Sequence, residues 1–439
     1  MRGDATRVVV DNGGDTCKLG FAGQEQPLRS VINAMARSKG HNKTFVADTI
    51  DACTDFSALQ YRRSLERGCL VNWDTQAEVW SRAFGPDVLR INPAECSLLL
   101  TEAPMCPTAI QDTLDEMVFE HFGFDSYCTR PAAALAALAI AEQQEKAGAP
   151  AHPCSLVVDA GFSATHCVPI FQRAPVNFAI KRLNVGGKLL TNHLKSIVSY
   201  RAYNVLDETH LMNDAKERLC YVSLDFEREL ALTRFKGKKN LIRREFILPD
   251  YVNTSRGTIR DPNAPELAAA PAPEPAKPAA KPAAKGGSSV SPRDGPPKKK
   301  AALAPEQQVL SLSNERLSVP ELLFRPSDIG IEQAGVAECV VQSVGACVAD
   351  MHEPMYGNIV LTGGSTRFPN FSERLERELR SMVPAEYALN VTAAADPLLA
   401  AWRGGSIFAS ADDYPMHVVT KAEYREHGHA LCRQRFAAV

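Results

Sequence analysis

With 439 residues, 45% of them apolar, the chain is long enough to bury two substantial cores. A formal net charge of −2 excludes whole-protein attraction to nucleic acid, so any such contact has to come from local patches. Twelve cysteines without a C-x-x-C pair, several of them (Cys17, Cys96, Cys167, Cys220) in apolar runs, read as buried free thiols of a reducing compartment and speak against a disulfide or zinc framework.

The first predicted element is a strand, Val8-Val9-Val10-Asp11-Asn12-Gly13, that turns and resumes at Cys17-Lys18-Leu19-Gly20-Phe21. Such a turn aims successive backbone N–H groups at one point, which suits an anion such as a phosphate. The alanine-rich stretch from Pro131, closed by Gly148-Ala149-Pro150, predicts a buried helix whose small side chains allow close packing. A second strand–turn–strand follows, Leu156-Val157-Val158-Asp159-Ala160-Gly161-Phe162-Ser163-Ala164-Thr165-His166-Cys167-Val168, with the same Asp-x-Gly logic. Lys236-Gly237-Lys238-Lys239-Asn240 reads as a solvated loop, with a partner or phosphate contact as the other reading. From about 255 to 305 the composition shifts to Ala, Pro, Lys, Gly and Ser, with almost nothing large to bury, which predicts a disordered insert. Its Lys298-Lys299-Lys300 cluster suits an import signal, a DNA phosphate contact or a plain tether. A third strand-then-glycine turn, Ile359-Val360-Leu361-Thr362-Gly363-Gly364, completes three turns that together suggest a cleft clasping a nucleotide from two sides. Near the end, His427 and His429 are two apart and point to different faces of a helix, so no metal site is expected there. The start, Met1-Arg2-Gly3-Asp4, has no apolar leader and no run reaches transmembrane length, which points to the cytosol or nucleus.

Asp11-Asn12-Gly13, Cys17-Lys18 and Gly20-Phe21-Ala22-Gly23 resemble the first phosphate hairpin of actin. Further matches follow in order: Val71-Asn72-Trp73-Asp74, Leu100-Thr101-Glu102-Ala103-Pro104, Thr165-His166-Cys167-Val168-Pro169, Lys216-Glu217-Arg218-Leu219 and Trp402-Arg403-Gly404-Gly405-Ser406. On this ordered series the chain is identified as a member of the actin superfamily. The resemblance implies an α/β, actin-like fold: two duplicated halves, each with a mixed five-stranded sheet, around a central nucleotide cleft. It implies a first half over 1–150 with a small insertion subdomain near 34–68, a second half over 151–374 carrying the insert, and a return to the first half over 375–439. Residues 319–324 resemble the strand by which actins re-enter the fold after such an insert.

By the same resemblance the cleft residues are Asp11, Gly13, Lys18, Asp159, Gly161, Gly187, Lys216, Glu217, Gly363 and Gly364, which persist at matching positions. They allow a bound, unhydrolysed ATP or ADP; alternatively the glycines persist because their turns need positive φ, and Lys18 pairs with Asp11 or Asp159. Actin's second catalytic aspartate is replaced by Phe162, its water-positioning glutamine falls in Pro131-Ala132-Ala133-Ala134-Leu135, and its phosphate-binding serine is Gly14, followed by Asp15. Near the adenine, Leu398 and Asn213 stand where actin has cations. Phosphoryl transfer to water rests on positioning and electrostatics, so hydrolysis is not expected, and no metal is assigned. Residues 38–43 are shorter than actin's filament-inserting loop, so self-polymerisation is not expected either.

Two signatures, 203–226 and 412–429, are similar to a nuclear class of actin-related proteins. That likeness implies a non-catalytic nuclear subunit of a Swr-type chromatin remodeller, which exchanges standard histone dimers for the Z-type variant. It implies docking to a zinc-finger HIT subunit and to an insert of the remodeller ATPase, nucleosome contact through the complex, and no membrane. The alternatives from other classes are an ATPase of the wider superfamily and a cytoskeletal nucleation or capping factor.

Overall fold

Two six-stranded sheets with the same internal logic carry the fold, beside three smaller sheets among the described residues. The computed structural model describes residues 5–38, 43–53, 56, 59–148, 152–249, 254, 256–262 and 308–437. In the first sheet, Thr6–Asn12 pairs antiparallel with Thr16–Phe21 and parallel with Cys96–Glu102, which in turn runs parallel to Ser126–Pro131. In the second, Cys154–Ala160 pairs antiparallel with Thr165–Phe171 and parallel with Ile359–Thr362, which runs parallel to Val391–Ala393. Each is a path of five strands plus one short extra strand: Val419–Thr420 on the first and Lys181–Leu183 on the second. The central strands are apolar on both faces; Val8, Val9 and Val10 are all fully buried, as are Leu156, Val157 and Val158. Unbroken apolar runs of this kind are what strands covered by helices on both sides require.

The helices that cover the sheets explain several of the sequence matches. Asn72 caps the helix Trp73–Phe84 by accepting from Thr75 N at 3.1 Å. The alanine-rich segment is the helix Ala132–Lys146, and Gly148 follows it at φ +80°. Against it lies the helix Ala400–Ser410. A Cβ on Gly404 would sit 1.7 Å from the Leu135 carbonyl oxygen, and one on Gly405 2.9 Å from Val9 Cγ1. The Trp-Arg-Gly-Gly motif is thus a packing device: its glycines let two backbones touch, and Trp402 Nε1 donates to Val9 O at 3.1 Å.

Several expectations need correction. The second sheet includes Val391–Ala393, and the helix Phe371–Met382 runs through residue 374, so the second half continues past the boundary drawn there. The strand Thr258–Arg260 pairs with Arg244–Ile247, which places ordered structure inside the stretch 255–305; residues 255 and 263–307, with the Lys298 to Lys300 cluster, lie outside the described residues. The chain re-enters the fold as the strand Val309–Leu312, not at 319–324. Residues 319–321 end the helix Glu315–Glu321, where Leu317, Val319, Leu322 and Leu323 all face the core, a spacing a helix and its closing turn satisfy. Residues 39–42 of the shortened loop also lie outside the described residues.

Candidate functional site

Strand register places an acid at the end of each half's first strand. In the first hairpin Asp11 stands opposite Lys18. Lys18 Nζ donates to Asp11 Oδ2 at 2.9 Å and Thr101 Oγ1 donates to Oδ1 at 2.8 Å, with all three residues buried. Burial works against the Lys18 ammonium, but the charge and hydrogen bond of Asp11 hold its pKa above the ordinary lysine value. Thr101, from the Leu-Thr-Glu motif, also accepts from Asn12 N at 3.0 Å. Below the turn, Asn33 Nδ2 donates to Asn12 Oδ1 and to Gly13 O, while Gln76 Oε1 accepts from Asn12 Nδ2 and Ser64 Oγ. The first turn is therefore held by a polar network drawn from four separate segments.

The second hairpin repeats the backbone with different chemistry. Asp159 stands opposite His166. Burial and then the charge of Asp11 push the Asp159 pKa up to about 6, with Lys18 opposing. Burial, then Arg182, pushes His166 down to about 4, so the imidazole is neutral, and its Nε2 has no partner among the described residues. The turn is tied to the start of the helix Gly187–Arg201: Gly187 N donates to Gly161 O at 3.0 Å and Lys188 N to Phe162 O at 2.9 Å.

The turns meet. A Cβ on Gly14 would lie 2.6 Å from Ser163 Oγ and 3.3 Å from Phe162 Cδ1. A side chain at Gly14 would have to displace the Ser163 hydroxyl and crowd Phe162, and glycine is needed at Gly13 because a Cβ would lie 2.7 Å from the backbone Thr16 O. Of the five predicted cleft glycines, Gly363 alone has positive φ, +90°, and a Cβ there would also strike Ala160 O at 2.5 Å. The positive-φ explanation therefore holds for Gly363 and fails for the others.

Arg63, which sequence reasoning missed, bridges the hairpins. Its guanidinium donates to Asp15 Oδ1 at 2.7 Å and to Gly14 O at 3.1 Å, and lies 4.4 Å from the centre of the Phe162 ring. Asp15 is thus the partner of Arg63, and its charge is neutralised in place. Two more contacts cross the mouth of the cleft. Phe56 stacks on His210 with ring centres 4.2 Å apart, and Arg182 Nη2 donates to Arg67 O at 2.6 Å.

On the far side, Lys216 is buried and donates to Thr191 Oγ1 at 2.9 Å, Asn213 Oδ1 at 2.8 Å and Gly187 O at 3.3 Å. Burial holds its pKa below the ordinary lysine value. Asn213 also donates to Glu217, which is exposed. Gly364 faces Leu398, and Gly161 and Gly363 both lie against Asp159. The predicted residues are accordingly brought together where the two turns meet the start of the helix Gly187–Arg201, with Glu217 exposed at the edge of the group. Away from it, His429 does approach carboxylates, Asp115 at 3.3 Å, while His427 does not join it. Arg433 bonds the same Asp115, which ties the second helical segment of Lys421–Ala437, set off by a kink at Gly428 (φ +61°), to the helix Thr108–Glu116.

The actin family profile matches residues 3–437. The chain belongs to the actin family. Among curated actin-family relatives it is similar to actin-related protein 6 of rice, 43% identical over 439 residues covering 99% of this chain and 100% of the relative. The Arabidopsis thaliana actin-related protein 6 is 42% identical over 98% of this chain and 99% of its own length. That of Drosophila melanogaster is 35% identical, with the same coverage. Likeness to this one class of actin-related proteins therefore extends along the full length.

Proposed function

We propose that this actin-family chain is a non-catalytic structural subunit of a Swr-type chromatin-remodelling complex in the nucleus, which exchanges standard histone dimers for the Z-type variant. In this reading it docks a zinc-finger HIT subunit and the remodeller ATPase insert, and meets the nucleosome as part of the assembly. The observation that carries the non-catalytic part is the contact of Phe162 and Ser163 with Gly14, with Arg63 laid over the Phe162 ring. This arrangement does not suit a metal-bound triphosphate. An apolar ring stands at the turn where the resemblance calls for a carboxylate, and Lys18 already neutralises Asp11. Joining two halves, rather than turning over nucleotide, is what such a cleft is fitted for. Full-length likeness to actin-related protein 6 supports the choice of assembly.

Affinity purification of the tagged chain from nuclear extract, with mass spectrometry of the co-purifying chains, tests this. Recovery of a large remodelling ATPase, its hexameric helicase-like partners and a zinc-finger HIT protein is the expected outcome. Recovery of actin and cytoplasmic filament proteins without them would overturn the proposal.

A further inference from the structure

Residues 234–244 carry six basic side chains and no acidic one, inside a chain whose net charge is −2. The segment leaves the helix Phe226–Thr233, makes a tight turn at Gly237–Lys239 and enters the strand Arg244–Ile247. Asn240 fixes its shape. Its buried side chain donates to Thr233 O at 3.1 Å and to Ser313 Oγ at 2.8 Å, and accepts from the N–H groups of Ile242 and Arg243. The loop is therefore held at both ends by one amide.

Two of its cations are used within the fold: Arg243 pairs with Glu245 at 2.7 Å and Arg244 with Asp261 at 3.0 Å. Arg234, Lys236 and Lys239 are exposed and pair with no carboxylate among the described residues. Interleaved with them are two large apolar side chains in water, Phe235 at 52% exposure and Leu241 at 60%. A loop that only had to stay soluble would gain nothing from holding a phenyl ring and an isobutyl group in solvent beside three unpaired cations.

We propose that this loop is a docking surface for an acidic polypeptide segment that offers apolar side chains along with its carboxylates. Arg234, Lys236 and Lys239 supply the charge complementarity, and Phe235 and Leu241 the desolvated anchors. Duplex DNA is the poorer fit, since its phosphates reward the cations and leave the two apolar groups with nothing to cover them.

Fluorescence anisotropy on the full chain tests this with three labelled probes at physiological salt. They are a short acidic peptide bearing Leu and Phe at helical spacing, polyglutamate of the same length, and a DNA duplex of about 20 base pairs. The first probe is expected to bind at least about tenfold more tightly than the other two. Lys236→Glu with Lys239→Glu should weaken it by about tenfold or more, and Phe235→Ser with Leu241→Ser by a similar factor, with unchanged unfolding midpoints. A basic version of the peptide should restore binding to the charge-reversed variant. Equal or tighter binding of polyglutamate or duplex, variants that bind like the parent, or no binding of the first probe would each overturn the proposal.

Discussion

The two hairpins share a backbone and differ in electrostatics. Asp11 meets a lysine across its strand pair, whereas Asp159 meets a histidine that burial keeps neutral. One cation, Lys18, therefore serves two acids, and the second is left with its pKa raised to about 6. Above the acids the contrast continues. The first turn rests on amide and hydroxyl groups, while the second presents the Phe162 ring to Arg63. A duplicated motif can thus keep its backbone geometry while its two copies are held by different side-chain chemistry.

The largest way to break this comparison is Lys18→Met. It leaves Asp11 buried without its cation, and stability measured by urea unfolding at neutral pH should fall by about 3–5 kcal/mol. A loss near zero would mean that the pair is not the anchor of the first turn. Phe162→Ala acts on the joint between the two turns. Removing the ring from Arg63 and Gly14 should lower stability by about 2 kcal/mol and speed amide exchange in residues 12–16 and 160–164.

Asp159→Asn should have the opposite sign. Because the folded pKa is raised from 3.8 to about 6, the carboxyl contributes stability below about pH 4 that is lost as pH rises through 6. At pH 8 the asparagine variant should be more stable by about 1 kcal/mol, allowing for the partial exposure of the group, and near pH 4 the difference should vanish. Thermal unfolding at the two pH values reads this directly. Arg63→Lys should be mildest, costing about 0.5 kcal/mol, since lysine keeps the charge toward Asp15 but cannot also cover the Phe162 ring. Stability unchanged on Arg63→Ala would remove the bridge from the account.

What the sequence made legible was set by local pattern. The hairpins, the glycine turns and the alanine helix all announce themselves within a few residues, and Asp11 with Lys18 follows from register across a tight turn. Arg63 could not be found this way. It lies 48 residues from Asp15 and 99 from Phe162, in a run with no motif of its own, so only the folded chain shows what it joins. For the same reason the sequence does not show that Asp15 is the partner of Arg63. Val319 to Phe324 misled because a buried apolar run suits a strand or a helix end equally; the strand role had already been taken by Val309–Leu312. Gly14 looked like a lost phosphate ligand, and its second role, admitting Ser163 and Phe162, depends on the opposite half.

The central claim is that the cleft joins the halves and does not turn over nucleotide. Phosphate release from radiolabelled ATP by the purified full chain, run beside Asp159→Ala, tests it most directly. The account predicts that the two release phosphate at the same background rate. Turnover comparable to an active actin that disappears in Asp159→Ala would contradict it.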